Sequence, residues 1–196
     1  MSTQLVFDEL THTYKFNGNV VPGVTTVLES VGISDFSNVP EDTLKYAADR
    51  GTAIHLACEY HDNDELEEVP QVIKPYFDQY IKFLSDFDVE IVEVEKKVFC
   101  EKYLYAGTLD RIAILKKVSD QPVLFDIKTG QPSIAHQIQT AAYEYAYKQD
   151  KRSKMDRYTL YLSSDGYKVS EPYKSRQDFD VFLAALTVHN YKKRSK

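Results

Sequence analysis

Apolar and polar residues alternate through residues 5–7 and again through 14–16, a period of two that reads as short strands. Asn17-Gly18 then supplies a hairpin-turn dipeptide. A small N-terminal β-hairpin is therefore expected, leading into a short helix around residues 25–30. Pro40 suits the first position of a longer helix, with Ser37 or Asn38 as its cap, and Gly51 is expected to end it. A second helical piece follows over residues 52–61. Beyond Pro70, Ile73, Phe77, Tyr80, Ile81 and Leu84 recur at helical spacing and define an amphipathic helix that closes near Phe87, its apolar stripe facing a core.

The period then returns to two. Residues 89–99, rich in β-branched side chains, and residues 103–115 and 123–129 read as three strands of an antiparallel meander, the last two parted by the turn residues Ser119-Asp-Gln-Pro122. A helix over residues 133–149 follows, on which Tyr145 and Tyr147 are expected to pack. Strands at 158–163 and 167–173 flank Asp165-Gly166. The last helix opens with Ser175 and Asp178 at capping-box spacing and gathers Phe179, Phe182, Leu183 and Leu186 on one face.

Composition narrows the function classes. A chain of 196 residues with no Gly/Ser-rich or Pro-rich linker and no internal repeat is expected to form one domain: hairpin and helices over 1–50, a core over 51–175, and a helix with a basic tail over 176–196. The formal charge of −6 is unlike that of a module that coats nucleic acid electrostatically. An enzyme that gathers carboxylates around a divalent ion is compatible with it, because the ion inverts the local field. Basic stretches remain at 148–157 and at 192–196, the second of which equally suits a frayed terminus. Cys58 and Cys100 are too few for a disulfide framework or a four-thiolate cluster, so they are expected to be buried thiols and no iron–sulfur cluster is expected. The chain shows neither an apolar run of the ~18 residues a membrane span needs nor a basic-then-apolar leader. A cytoplasmic location without a membrane partner is the expectation.

The candidate chemistry lies in three blocks: Gly107-Thr-Leu-Asp110, Asp126-Ile-Lys128 and Gln139-x-x-x-Tyr143. Asp126 and Lys128 share one face of their strand while Val123, Phe125 and Ile127 take the other. With Asp110 on the paired strand, two carboxylates and an ammonium converge. Carboxylate oxygens are the hard ligands that Mg²⁺ prefers, and a lysine beside them can assist a water or neutralise charge on a phosphate. Alone, Asp-x-Lys far more often marks a surface salt bridge; the companion blocks reverse that. Gln139 and Tyr143, four apart, are neighbours on a helix and can brace the lysine or meet phosphate oxygens, or simply bond each other. His55 fits either a core histidine or a further metal ligand, with Glu59 one turn on to orient it. Glu93 and Glu95 read as a solvated strand face, with Glu95 and Glu59 as outer-shell candidates.

Together these blocks resemble the PD-(D/E)XK nuclease superfamily, and within it the RecB-type branch with the Gln-x-x-x-Tyr signature, which includes phage, bacterial and mitochondrial-maintenance exonucleases. The resemblance spans roughly His55 to Tyr143. It implies an α/β fold of restriction-endonuclease-like type, a central mixed β-sheet flanked by helices. It also implies a Mg²⁺- or Mn²⁺-dependent DNA nuclease, most simply an exonuclease of recombination, repair or processing in a bacterial or phage-infected cell. By that resemblance His55, Asp110, Asp126 and the carbonyl of Ile127 hold the metal. Asp110, Asp126 and Lys128 are catalytic, and Gln139 and Tyr143 support the site or touch DNA. A recombination or replication protein is an expected partner, and with no helicase motif any motor would be a separate chain. An endonuclease, an RNA-directed nuclease and a non-catalytic nucleic-acid-binding module are the alternatives.

Overall fold

A computed structural model describes residues 5–8, 11, 13–35, 37, 39–150, 152 and 154–194. Strands β1 (Leu5–Asp8), β2 (Thr13–Phe16) and β3 (Asn19–Val21) form an antiparallel sheet in that order. Asn17 and Gly18 make its turn with φ of +48° and +82°, the left-handed pair a tight hairpin requires. The chain then enters helix α1 (Val24–Ser30), helix α2 (Glu41–Asp62) and helix α3 (Lys74–Phe87).

The expected meander is β4 (Val89–Cys100), β5 (Tyr105–Leu115) and β6 (Pro122–Lys128), antiparallel throughout. Helix α4 (Ile134–Lys148), capped by the Ser133 hydroxyl, carries the chain back so that β7 (Arg157–Leu162) lies parallel to β6. Strand β8 (Tyr167–Val169) returns antiparallel and α5 (Gln177–Arg194) closes the described chain. The result is a five-stranded mixed sheet in the order β4-β5-β6-β7-β8. On one face α1, α4 and α5 bury Val27, Leu28, Ala142 and Phe182 against Tyr105, Leu109 and Leu124. On the other, α2 and α3 bury Ile54, Cys58, Phe77, Tyr80 and Phe83 against Phe125, Ile127 and Leu160.

Several expectations are corrected. The helix expected to stop at Gly51 runs on to Asp62 as one 22-residue element, crossing the 50/51 division. A mid-helix glycine costs only about 1 kcal/mol, which burial of Ile54, Ala57 and Cys58 outweighs. Pro40 lies just outside the helix, which has no side-chain cap; Ser37 bonds Asp35 instead, and Asn38 lies outside the described residues. The capping box at α5 is half made: the Ser175 hydroxyl accepts from the Gln177 amide, but Asp178 turns inward to Arg157. Strand β8 ends at Val169 because Pro172 has no N–H to give the ladder, leaving Tyr173 in a single bridge to Arg157. Arg157, counted among the basic surface residues, is buried between Glu144 and Asp178. Cys58 and Cys100 are buried free thiols, and Tyr145 stacks on Phe179. Among the described residues no helix is long and apolar enough to cross a membrane.

Candidate metal and catalytic site

Where β5 and β6 part, the sheet opens. Their ladder runs from Ile114↔Pro122 only as far as Arg111↔Phe125, and beyond it β6 pairs with β7 alone. The Ile127 amide, left without a strand partner on the β5 side, donates to Asp110 Oδ2 at 2.6 Å. The alternation of β5 changes phase at the same place. Tyr105 and Leu109 face the α4 side, whereas Arg111, Ala113 and Leu115 face the α2 side. Across the sheet Glu95 holds φ +43°, a left-handed conformation that costs a non-glycine residue energy and marks a constrained position.

Into this opening three potential ligands project. His55 from α2, Glu95 from β4 and Asp110 from β5 each offer one ligand atom, and these atoms lie within 4.8 Å of one another. His55 Nε2 is 2.9 Å from the Ile127 carbonyl, which can only accept, so Nε2 carries the proton and Nδ1 keeps a lone pair 3.6 Å from Asp110 Oδ2. Burial pushes the imidazole below its ordinary pKa, aided by Lys128 and Arg111 against the pull of Asp110. A neutral imidazole nitrogen beside two carboxylates is a donor set suited to a divalent cation. Burial, reinforced by Asp110 and opposed by Arg111, pushes Glu95 up to about 8. Such crowding of a buried and a half-buried carboxylate is relieved by a cation.

Asp126 and Lys128 stand beside this cluster on the α4 face. Asp126 is wholly buried, and the Lys128 ammonium lies 2.6 Å from its Oδ2, on a side chain that is 24% exposed. Burial raises the Asp126 pKa and Asp110 adds to this, with Lys128 opposing. Burial works against the charge on Lys128, yet Asp126 and Asp110 hold its pKa above the ordinary value. Gln139 donates from Nε2 to Asp126 Oδ1 at 3.3 Å and to the Tyr143 hydroxyl at 3.0 Å, so the helix pair braces the buried carboxylate. Gly107 makes room for it: a Cβ there would collide with Tyr143 Cε1 and lie 3.3 Å from Val24 Cγ2.

The structure thus brings together His55, Asp110, Asp126, Lys128, Gln139 and Tyr143, and it moves Glu95 from the outer shell into the ligand cluster. Asp126 is outside the set that meets within 4.8 Å. The Ile127 carbonyl receives the His55 bond, with one lone pair remaining. Glu59 adds to the repulsion on Glu95 without joining the set, and Glu93 pairs with Lys96 on the surface. Sequence reasoning missed Arg111. Fully buried, it is 2.6 Å from Asp62 Oδ2 and 3.0 Å from Glu95 Oε1, and it donates to the Asp110 carbonyl. Its fork fixes Glu95 from behind the cluster.

A family profile described as the PD-(D/E)XK nuclease superfamily matches residues 71–189, more than half of the chain. Glu95, Asp110, Asp126, Lys128, Gln139 and Tyr143 fall inside the matched span, and His55 precedes it. No curated protein is significantly similar to the chain.

Proposed function

The chain belongs to the PD-(D/E)XK nuclease superfamily, and on that premise we propose that it is a Mg²⁺- or Mn²⁺-dependent DNA nuclease of the RecB-type branch, acting as an exonuclease in recombination, repair or processing. The observation that carries this reading is the meeting of His55, Glu95 and Asp110 within 4.8 Å, beside the Asp126–Lys128 pair. Two carboxylates and an imidazole nitrogen are the ligands; Asp126 and the Ile127 carbonyl are further oxygens at hand. A divalent cation held there would polarise a phosphate oxygen and lower the pKa of a water.

The chain's own groups do the rest. His55 is fixed by its bond to Ile127, so Nδ1 stays turned toward Asp110. Lys128, partly exposed, can hand a hydrogen bond to the attacking water or to the phosphate oxygens, while Asp126 keeps it in place. Gln139 and Tyr143 hold Asp126 against rotation, which is the support for assigning the Gln-x-x-x-Tyr branch. The test is digestion of linear duplex, circular duplex, single-stranded DNA and RNA by the purified protein with Mg²⁺, with Mn²⁺ and with chelator. Metal-dependent loss of linear DNA that spares circles, abolished in Lys128→Ala, is expected. Absence of metal-dependent cleavage of every substrate, or wild-type cleavage by Lys128→Ala, would overturn the reading.

A further inference from the structure

Arg50 is placed one residue before the point where α2 passes Thr129: a Cβ on Gly51 would be 3.5 Å from Thr129 Oγ1, next to Lys128. Its guanidinium carbon lies 5.8 Å from the Tyr46 ring centre and 5.1 Å from that of Tyr76, so rings of α2 and α3 both hold it. Such contacts fix the plane of an arginine through its faces and supply no acceptor to its edge. Among the described residues the Arg50 side chain meets no hydrogen-bond or ion-pair partner, and its Nε is buried without one. Its neighbour Asp49 is engaged with Lys45. Buried N–H groups nearly always find an acceptor. A guanidinium stacked between two rings, with no acceptor at its Nε, matches the geometry of a phosphate.

The position suits a strand that passes over the cluster. Five residues of helix separate Arg50 from His55, about 7.5 Å along the axis, comparable with the spacing of neighbouring phosphates along one extended strand. Tyr46 is 60% exposed, so much of its ring is open to a base. We propose that Arg50, held between Tyr46 and Tyr76, is a phosphate-binding subsite for a single nucleic-acid strand laid over the metal cluster, with an unpaired base stacking on Tyr46. This rests on the nuclease reading and adds to it the strandedness and a contact remote from the reacting phosphate.

The experiment is fluorescence anisotropy with labelled single-stranded and duplex oligonucleotides of one sequence in Ca²⁺, over a range of salt, for the wild type, Arg50→Ala, Arg50→Lys and Tyr46→Ala. Arg50→Ala should bind about tenfold more weakly, as expected for a charge-assisted hydrogen bond, and its salt slope should fall by about one. Arg50→Lys should recover the slope but only part of the affinity, because an ammonium lacks the fork. Tyr46→Ala should weaken single-strand binding more than duplex binding. Thermal melts check that each variant is folded. Wild-type affinity and salt slope in a folded Arg50→Ala would overturn the subsite. Wild-type protein that binds the strand through Arg50 yet digests nothing would instead sink the nuclease reading and leave the subsite standing.

Discussion

At the scale of single residues, Gly107 and Arg111 explain why a short motif works. Gly107 is not a flexible hinge: its missing Cβ is the space into which Tyr143 packs. Gly107→Ala should therefore lower stability by about 1–3 kcal/mol, the usual cost of overpacking, and reduce cleavage by displacing Tyr143 and with it Gln139. Thermal unfolding and turnover on one preparation check both. Arg111 was legible only in part. A charged residue directly after Asp110 in an apolar strand signals that one of the two points into a core, but nothing in the sequence shows that Asp62, 49 positions away, is there to meet it. Arg111→Lys keeps the charge and loses the fork that reaches both Asp62 and Glu95. It should weaken Mn²⁺ uptake by about 10–100-fold, as loss of a group orienting a metal ligand typically does. Calorimetric titration measures this; unchanged affinity would show that Glu95 needs no such hold.

Among elements, the decisive one is the β5–β6 pair, because the site exists where its ladder stops. The period-two pattern correctly yields the three antiparallel strands and places Asp126 and Lys128 on one face. It cannot yield the parting of strands, since that depends on a side chain, Asp110, replacing a backbone acceptor for the Ile127 amide. Nor does alternation alone reveal Glu95, whose left-handed backbone turns a residue of a half-buried strand stretch into the ligand cluster. The unbroken α2 was missed for the opposite reason: local propensity at Gly51 is weak against tertiary burial on either side of it. Asp110 accordingly has two roles that substitutions separate. Asp110→Ala should lose metal uptake and also about 1–3 kcal/mol of stability, leaving a buried N–H unsatisfied. Asp110→Asn should lose metal uptake while its amide oxygen still accepts from Ile127, keeping the melting temperature near wild type. Equal destabilisation by both would mean that the carboxylate charge, rather than the acceptor, holds the strands.

For the molecule as a whole, the ligand cluster joins elements that lie far apart in the sequence. His55 comes from a helix packed on one face of the sheet, Glu95 and Asp110 from the sheet itself, and Gln139 braces Asp126 from a helix on the other face. A cation that binds this arrangement and not the unfolded chain must stabilise the whole fold by mass action, about 2.7 kcal/mol at a hundredfold excess over its dissociation constant. Mn²⁺ should therefore raise the melting temperature of the wild type, chelator should reverse the rise, and Asp110→Asn should abolish it. The contrast with Lys128→Ala is informative, because Lys128 belongs to the chemistry and not to the ligand set. Removing its positive charge relieves repulsion toward the cation, so that variant should keep or enlarge the Mn²⁺-dependent rise while losing cleavage. A Lys128→Ala protein that no longer responds to Mn²⁺ would place the lysine among the groups that build the binding site, and the division between holding the ion and breaking the phosphodiester would have to be redrawn.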